Sequence, residues 1–230
     1  MGFGSLFKKD KTYARHELVG KGDKLLASGK MEKAIKCFDK ALELLPESAE
    51  AIDSLPESAE IWCAKGMAFG MLENTEEGMK CCDKAIELSS NVPFFTSPWI
   101  NKSRMFVMLG NTEEAIKCLD KVIKMTDEYP ECRYKPTATD IGTRDSQALA
   151  WYNKGFIFPD GSEKAMKCFD KAIKSDPGFV DAWINKGYSL HHLGKHEESV
   201  VCIRRALELD PNHEYALSTI KTFGYEEYFK

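Results

Sequence analysis

Apolar residues recur every three to four positions through most of this chain, in blocks that come in pairs. That spacing places the apolar side chains of one block on one side of an α-helix. One block, for example, carries Ala34, Phe38 and Ala41, and the block before it carries Leu18 and Leu25. Glycines separate the blocks of most pairs, and prolines follow several of the second blocks. The pattern therefore predicts an all-α chain built from pairs of helices joined by short turns.

The helix pairs repeat with a fixed period. The string Lys-Cys-x-Asp-Lys begins at Lys36, Lys80, Lys117 and Lys167, and a relaxed copy spans residues 201–205. Each copy follows a lysine, here called the repeat lysine; the five are Lys21, Lys65, Lys102, Lys154 and Lys186. Aligned on these positions, the chain divides into the units 15–48, 59–92, 96–129, 148–179 and 180–213. Each unit is expected to form one helix pair, and stacking of the pairs buries their apolar faces.

Four of the repeat lysines follow a tryptophan by three residues: Trp62, Trp99, Trp151 and Trp183. With the glycine after the lysine and the Ala, aromatic, Ala and Pro positions further on, this pattern resembles the tetratricopeptide repeat (TPR) over about three quarters of the chain. The resemblance implies a right-handed α-solenoid of five helix pairs plus a C-terminal capping helix, with the first helices lining a concave groove. Pentatricopeptide RNA-binding proteins have a similar period but lack this pattern of Trp, Gly and Pro.

Two units depart from the family pattern. The second unit has Gly78 where the family has alanine, and Cys82 where it has an aromatic residue. Glycine inside a helix costs about 1 kcal/mol relative to alanine, so we expect a weak point in the stack. The fourth unit is two residues short, and residues 158–161 (Phe-Pro-Asp-Gly) replace the usual end of its first helix. We expect that helix to end early and the groove to be altered there.

The segments outside the units carry weaker signals. Residues 49–58 contain part of a tandem duplication (Leu-Pro-Glu-Ser-Ala-Glu occurs twice), which we interpret as a surface insertion with a short helical turn. Residues 130–147 are the longest interruption and are either a contact site or a slack connection. Residues 1–14 are expected to form a tail or a cap at the N-terminal end. Residues 214–230 are expected to contain the capping helix, at 214–223, and a tail.

The composition disfavours several functional classes. The chain has 230 residues and a formal net charge of −4. Nucleic-acid binders need a surplus of Lys and Arg to displace counterions, so we expect no nucleic-acid partner. No apolar run approaches the roughly 20 residues of a membrane-spanning helix, and the N-terminal sequence lacks the order of a secretory signal. We therefore expect a cytoplasmic protein.

Cysteines and histidines are the main candidates for metal binding, disulfide formation or catalysis. One cysteine occupies the same position in every unit: Cys37, Cys81, Cys118, Cys168 and Cys202. Structural zinc sites use closely spaced pairs of ligands, so we interpret these residues as small apolar packing residues without metal or disulfide. His192 and His196 have the spacing of a metal pair, but Gly194 lies between them and no His-Glu-x-x-His motif is present. With no recognised catalytic motif, we expect no enzymatic activity and no cofactor.

The repeat lysines stand where the family usually has leucine. Their aliphatic stems are expected to pack against the stack while the ammonium groups reach water, as long cationic side chains commonly do. A basic stripe that binds an acidic partner is the alternative interpretation.

The resemblance places the neighbours of the repeat lysines on the groove. Asn101, Asn153 and Asn185 precede three successive repeat lysines, and a ladder of their amides would pair with an extended peptide backbone. The other predicted groove residues are mostly apolar or aromatic: Arg104, Met67, Ile100, Tyr152, Phe156, Ile184 and Tyr188, together with Val19, Asp23, Cys63, Met71, Met108 and His191. Such a surface suits an apolar peptide or an amphipathic helix.

Family members that bind the C-terminal carboxylate of chaperones carry a lysine two positions before the repeat lysine. Here those positions hold Val19, Cys63, Ile100, Tyr152 and Ile184, so that carboxylate clamp is absent. The resemblance therefore implies a non-catalytic adaptor for a protein or peptide partner of unknown identity. The alternative hypothesis is a structural module that self-associates into a homo-oligomer through its end repeats.

Overall fold

A computed structural model describes residues 3–45, 56–89, 95–130 and 145–229. Within these ranges the chain contains eleven α-helices, a final 3₁₀ turn at Glu226–Phe229, and no β-strand. Helices α1 to α11 span Phe3–Ala27, Met31–Glu43, Pro56–Met71, Thr75–Leu88, Ser97–Met108, Thr112–Glu128, Ser146–Ile157, Glu163–Ser175, Val180–His192, His196–Leu209 and Glu214–Phe223. The predicted all-α class is confirmed.

Consecutive helices pack as pairs, α1 with α2 through α9 with α10, and each pair is joined by a tight turn. The turn residue has a positive φ and is glycine in four of the pairs: Gly29, Gly110, Gly161 and Gly194. Glu73 takes the same conformation in the second pair, with φ of 60°. Asn111 and Ser162 then cap the following helices, each accepting a hydrogen bond from the backbone N–H three residues on.

In the first and fourth pairs the two helices approach so closely that the position after the repeat lysine requires glycine. A Cβ added to Gly22 would lie 2.4 Å from Cε1 of Phe38, and one added to Gly155 would lie 2.5 Å from Cε1 of Phe169. Both phenylalanine rings are buried, each on the second helix of its own pair. The aromatic ring therefore occupies the volume that a side chain on the first helix would need.

In the second pair Cys82 stands in place of that ring, and a side chain from the third pair lies against Gly78. Gly66 faces the Sγ of Cys82, and a Cβ added to Gly78 would lie 2.6 Å from Cε of Met105. Met105 belongs to α5, the first helix of the third pair, and is only 1% exposed. Its flexible side chain lies against Gly78 and Gly70 and fills the space that Gly78 leaves. The expected weak point in the second repeat stays a prediction, but the structure shows how its volume is filled.

The first helices lie on the inner side of the stack. Helices α1, α3, α5 and α7 pack successively against one another, whereas each second helix packs mainly between its own first helix and the next one. Because the first helices are closer together than the second helices, the stack curves with the first helices on its concave face. The groove is therefore lined by the helices that carry the repeat lysines.

The repeat lysines connect neighbouring pairs. Four of the five bind an aspartate of the Lys-Cys-x-Asp-Lys motif in the preceding repeat, here called the motif aspartate. The N···O distances are 2.5–2.6 Å, and the pairs are Lys65–Asp39, Lys102–Asp83, Lys154–Asp120 and Lys186–Asp170. These lysine side chains are only 15–25% exposed. The stems do pack, as predicted, but the ammonium groups contact carboxylates of the stack and leave no basic stripe for a partner.

Burial by itself lowers the pKa of Lys186. Its hydrogen bond to Asp170 and the charge of that carboxylate outweigh this effect and raise the pKa above the usual value. The Lys65 ammonium also lies 4.9 Å from the ring centroid of Trp62, and the Lys154 ammonium lies 5.4 Å from that of Trp151. The tryptophan before the repeat lysine therefore contributes a cation–π contact as well as packing area.

The first and last repeats lack part of this series of lysine–aspartate ion pairs. Lys21 has no preceding repeat and is exposed. In the last repeat Arg204 takes the place of the motif aspartate, and its Nη2 donates a hydrogen bond to the backbone oxygen of Tyr228 at 2.7 Å. The position that would bind the next repeat lysine thus binds the C-terminal segment.

The ends and interruptions of the stack are partly described. Helix α1 begins at Phe3, so residues 3–14 continue the first helix of the first repeat. Helix α7 ends at Ile157, three residues after its repeat lysine, whereas α3 and α5 end six residues after theirs; the predicted early end is confirmed. The predicted capping helix is present as α11 and packs on α9 and α10. Most of the 49–58 and 130–147 insertions lies outside the described residues.

We expect Met105→Ala to lower the free energy of unfolding by about 2–4 kcal/mol, because it removes the side chain that fills the second repeat and leaves a cavity. Urea denaturation followed by circular dichroism measures this change. Met108→Ala, an exposed methionine on the same helix, is the matched control and should change the free energy by less than about 0.5 kcal/mol. Equal effects of the two substitutions would show that Met105 does not fill this volume.

Candidate binding groove

One residue of each first helix, two positions after the repeat lysine, lies along the middle of the inner face. These residues, here called the central row, are Asp23, Met67, Arg104, Phe156 and Tyr188. The row starts with a carboxylate, passes an exposed cation and ends with two aromatic rings. A partner lying across the groove would meet these side chains in that order.

The middle of the groove exposes large apolar side chains. Met71, Val107, Met108 and Phe156 are each between 44% and 55% exposed. They lie in the C-terminal halves of α3, α5 and α7, next to half-buried Met67. Exposed apolar side chains that cluster on one face commonly mark interaction sites, and methionine adapts its shape to varied partners.

Several predicted groove residues are not available to a partner, among them Cys63, Ile100 and Ile184, and Cys63 is fully buried. Ile184 is fully buried and Ile100 is 6% exposed, because both pack into the core between neighbouring helix pairs. Tyr152 is half-buried and packs against Phe156, with ring centroids 4.9 Å apart, and against Phe179 at 4.6 Å. The positions two before the repeat lysine therefore belong mainly to the stack, and the prediction that Ile100 and Ile184 contact a ligand is wrong.

The three asparagines do not form a free ladder. Asn101 is buried and its Nδ2 donates to Sγ of Cys63 at 3.4 Å. Asn185 is buried as well, and its Nδ2 donates to the Tyr152 hydroxyl at 3.2 Å and to the Asp181 backbone oxygen at 2.8 Å. Both amides thus join one first helix to the preceding one, since they lie at the contact between those helices.

Asn153 is the exception. Its Nδ2 is enclosed and has no hydrogen-bond acceptor among the residues that the structure describes. By repeat register the residue opposite it on the preceding first helix is Ile100, which offers no acceptor atom where Cys63 and Tyr152 do. An enclosed donor without an acceptor costs about 1–3 kcal/mol. The Asn153 amide therefore lowers the stability of the stack in the middle of the groove.

The N-terminal end of the groove is acidic. Nη2 of buried Arg15 lies 2.8 Å from Oε2 of Glu57, whose Oε1 is 3.2 Å from Nε2 of His16 without hydrogen-bond geometry. Burial, and then the charge of nearby Glu60, raises the pKa of Asp23 to about 6. Burial, followed by the charge of Glu57, raises the pKa of Glu60 as well. Sequence reasoning named Asp23 but missed this cluster, because Glu57 and Glu60 stand at the edge of the duplicated segment.

The C-terminal end of the groove is covered by the chain itself. The Phe223 ring stacks on His191 with centroids 3.7 Å apart and planes at 3°, and its centroid lies 5.2 Å from that of Tyr188. The buried Tyr225 hydroxyl lies 2.7 Å from Nδ1 of His191 and 3.2 Å from Nδ1 of His196. Residues 223–225 therefore cover His191, a predicted groove residue, and the histidine cluster contributes to this contact.

The cysteines pack as the sequence predicts. Seven cysteines in the described residues are buried and form no disulfide there: Cys37, Cys63, Cys81, Cys82, Cys118, Cys168 and Cys202. Burial raises the pKa of the Cys82 thiol to about 12 and the pKa values of Cys81 and Cys202 to about 11. These thiols stay protonated near neutral pH and are poor nucleophiles. Across the described ranges, no group of three or more His, Cys, Asp or Glu side chains is arranged to hold a metal ion.

Comparison with known families agrees with this architecture. Two profiles, each described as tetratricopeptide repeat, match the chain, one at residues 180–213 and the other at residues 18–48, 59–92 and 97–129. Together the matches cover more than half of the chain. The chain belongs to the tetratricopeptide-repeat family. The fourth unit, 148–179, lies outside these matches, and it is the unit with the shortened first helix.

Solved structures show the same fold. TTC0263, a thermophilic TPR protein of Thermus thermophilus, is 14% identical, covers 91% of this chain and 98% of its own length, and gives a TM-score of 0.64. PilF of Pseudomonas aeruginosa is 16% identical, with coverage of 95% and 88% and a TM-score of 0.65. MamA is 20% identical, with coverage of 83% and 94% and a TM-score of 0.54. A search of curated proteins finds no match.

Family and fold together define the general class of this protein. The TPR solenoid is a framework for protein–protein adaptors and scaffolds, and this chain has that framework. None of the helices in the described part of the chain is both long and apolar enough to span a membrane.

We expect Asp23→Asn to stabilise the protein at pH 7.5 by about 1 kcal/mol, after allowance for solvent screening. The folded-state pKa of about 6 lies above the ordinary 3.8, so the folded protein binds this proton more tightly than the unfolded chain does. The contribution of Asp23 to stability is present at low pH and is lost as the pH rises through about 6. Urea denaturation should therefore show a larger gain for the variant at pH 7.5 than at pH 4.5.

The control for this prediction is Glu17→Gln, which removes one charge from an exposed position of the same helix. It should leave the free energy of unfolding nearly unchanged at both pH values. A loss of stability in Asp23→Asn at pH 7.5 would mean that the carboxylate is stabilised by its surroundings, against the stated cause.

We expect Tyr225→Phe to loosen the C-terminal segment by about 1 kcal/mol, because two imidazole nitrogens lose their shared partner. Hydrogen exchange should become faster in residues 214–229 and stay unchanged in α3 to α6. Tyr215→Phe on α11 is the control, since that hydroxyl makes no hydrogen bond within the described residues. Unchanged exchange in Tyr225→Phe would show that ring stacking alone holds the segment.

Proposed function

We propose that this protein is a non-catalytic adaptor that binds a peptide or an amphipathic helix of another protein in the middle of its concave groove. The observation that carries the proposal is the exposed apolar surface formed by Met67, Met71, Val107, Met108 and Phe156 on three successive first helices. Burying such a surface against the apolar side of a partner removes it from water, which is the main source of binding free energy.

The two ends of the groove define the length of this site. At the N-terminal end lie the half-buried carboxyl groups of Asp23 and Glu60. At the C-terminal end, Phe223 covers His191 and Tyr188. The accessible apolar part lies between these ends and corresponds to helices α3, α5 and α7. A segment of a few helical turns spans three neighbouring helices packed about 10 Å apart.

The buried thiols and the absence of a metal-binding group in the described ranges add no candidate for catalysis. We therefore propose an adaptor that works by binding alone, in the cytoplasm, with a protein partner and no nucleic acid. The chain's net charge of −4 and the pairing of its repeat lysines with motif aspartates support this choice of partner.

A second candidate function is self-association through the C-terminal end. Val201, Tyr215 and Leu217 are large apolar residues that stay exposed on α10 and α11, where a further repeat would pack. Such an end could stack on a second copy of the chain. This candidate predicts a dimer or larger oligomer in solution that Leu217→Ser reduces to a monomer in analytical ultracentrifugation.

The test of groove binding is selection of random peptides displayed on phage against the immobilised protein. We expect a selected, fluorescently labelled peptide to bind Met108→Ser and Phe156→Ser at least about tenfold more weakly than it binds the wild type, in fluorescence polarisation. Each substitution removes an exposed apolar contact from the middle of the groove. Val201→Ser, which removes an exposed apolar residue from a second helix, is the matched control and should bind as the wild type does.

Thermal unfolding of all variants separates a binding defect from a folding defect, because Phe156 also contacts Tyr152 and Phe169. Peptides that bind the groove variants as tightly as the wild type would move the binding site elsewhere. Failure to select any peptide, together with an oligomer that depends on Leu217, would favour the self-association candidate.

A further inference from the structure

Arg104 is the one cation of the central row, and nothing in the described chain pairs with it. Its side chain is exposed on α5, and it makes no ion pair, hydrogen bond or cation–π contact with a described residue. The neighbouring repeat lysines behave differently, because Lys102 binds Asp83 and Lys154 binds Asp120. Lys102 and Lys154 thus have carboxylate partners inside the stack, whereas Arg104 has no partner among the described residues.

Apolar side chains surround Arg104. On its own helix, Val107 and Met108 stand three and four positions further on, on the same side of the helix, and both are exposed. On the two adjacent first helices, the central row continues with Met67 and Phe156. A purely apolar ligand that covered this surface would take water from the guanidinium without replacing its hydrogen bonds, which is costly for a charged group.

We propose that the segment bound by the groove carries a side-chain carboxylate, from Asp or Glu, within its apolar face, and that Arg104 binds this carboxylate. The inference rests on the proposed function of the groove and states the chemistry of its ligand. A guanidinium matches the two oxygens of a carboxylate with parallel hydrogen bonds, and that pairing is strongest where water is excluded.

The position of Arg104 favours a side-chain carboxylate over the C-terminal carboxylate of a partner. Exposed apolar residues lie on both sides of Arg104: Met67 and Met71 on α3, and Phe156 on α7. A segment that continues past Arg104 in both directions covers both groups. A partner whose chain ended at Arg104 would leave one of them in water.

The carboxyl groups at the N-terminal end of the groove indicate where along the bound segment the partner's carboxylate lies. Burial, and then the charge of a neighbouring carboxylate, raises the pKa of both Asp23 and Glu60. A further acidic side chain at that end would add repulsion, whereas the same side chain opposite Arg104 gains an ion pair. The bound segment is thus acidic at its centre and neutral or basic where it meets α1 and α3.

Peptide selection on charge-reversed protein tests the proposal. The random phage library is selected separately on the wild type, on Arg104→Glu and on Lys124→Glu, which makes the same change of charge at an exposed position of α6. We expect wild-type and Lys124→Glu peptides to share an Asp or Glu flanked by apolar residues. Peptides selected on Arg104→Glu should carry Lys or Arg at that place instead.

A double-mutant cycle on one synthesised wild-type peptide then measures the pairing. Replacing its acidic residue by Gln or Asn should weaken binding to the wild type about tenfold or more and should change binding to Arg104→Gln by less than about twofold. Amidation of the C-terminus should have no effect. Weakening by amidation instead would assign the carboxylate to the chain terminus and overturn the proposal.

The outcomes separate the two proposals. Peptides that need Phe156 but show no acidic preference, or keep the same preference on Arg104→Glu, would leave groove binding intact and refute the role of Arg104. Peptides that ignore Phe156 and Met108, or no peptides at all, would refute groove binding and this inference with it. Thermal unfolding of Arg104→Glu checks that the exposed substitution leaves the fold intact.

Discussion

The ion pair between each repeat lysine and the motif aspartate of the preceding repeat ties the stack together. The lysine lies on a first helix and the aspartate on the second helix before it, so each pair spans the junction between two repeats. An exposed ion pair contributes little to stability, but these lysines are largely shielded, and a displaced neighbour would leave such a charge unpaired. These ion pairs therefore specify how neighbouring repeats pack on one another, and they use four lysine ammonium groups inside the stack. What remains for a partner is an apolar inner face with Arg104 in it.

The repeat pattern was sufficient to predict the helix pairs, the turn glycines and the early end of α7, because each depends on residues close in sequence. The groove was predicted less well. Ile100 and Ile184 were assigned to its surface and are core residues, and Asn101 and Asn185 bond to the preceding first helix. Which way these positions point depends on the residue opposite them in another repeat. That residue is Cys63 for Asn101 and Tyr152 for Asn185, and a single repeat contains no information about it.

The same dependence on neighbours gives the three parts of the groove their different character. Carboxylates crowd at the end where α1 meets α3, apolar side chains fill the middle, and aromatic rings from the C-terminal segment cover the far end. Arg204 contributes to that closed end by replacing the motif aspartate and holding the backbone of Tyr228. Cys63, by contrast, lies at a groove position in the family pattern and here is a buried acceptor for Asn101. The groove of this solenoid thus has an acidic end, an apolar middle and an end that the chain's own C-terminal segment covers.

The side chain of Met105 limits the modularity of this solenoid. It belongs to the third repeat but completes the interior of the second, where it lies against Gly70 and Gly78. Duplication, deletion or exchange of either repeat alone would leave a hole in one product or a clash in another. These two repeats can be inherited or transplanted only as a pair, and the smallest interchangeable piece at this point of the chain is two repeats long.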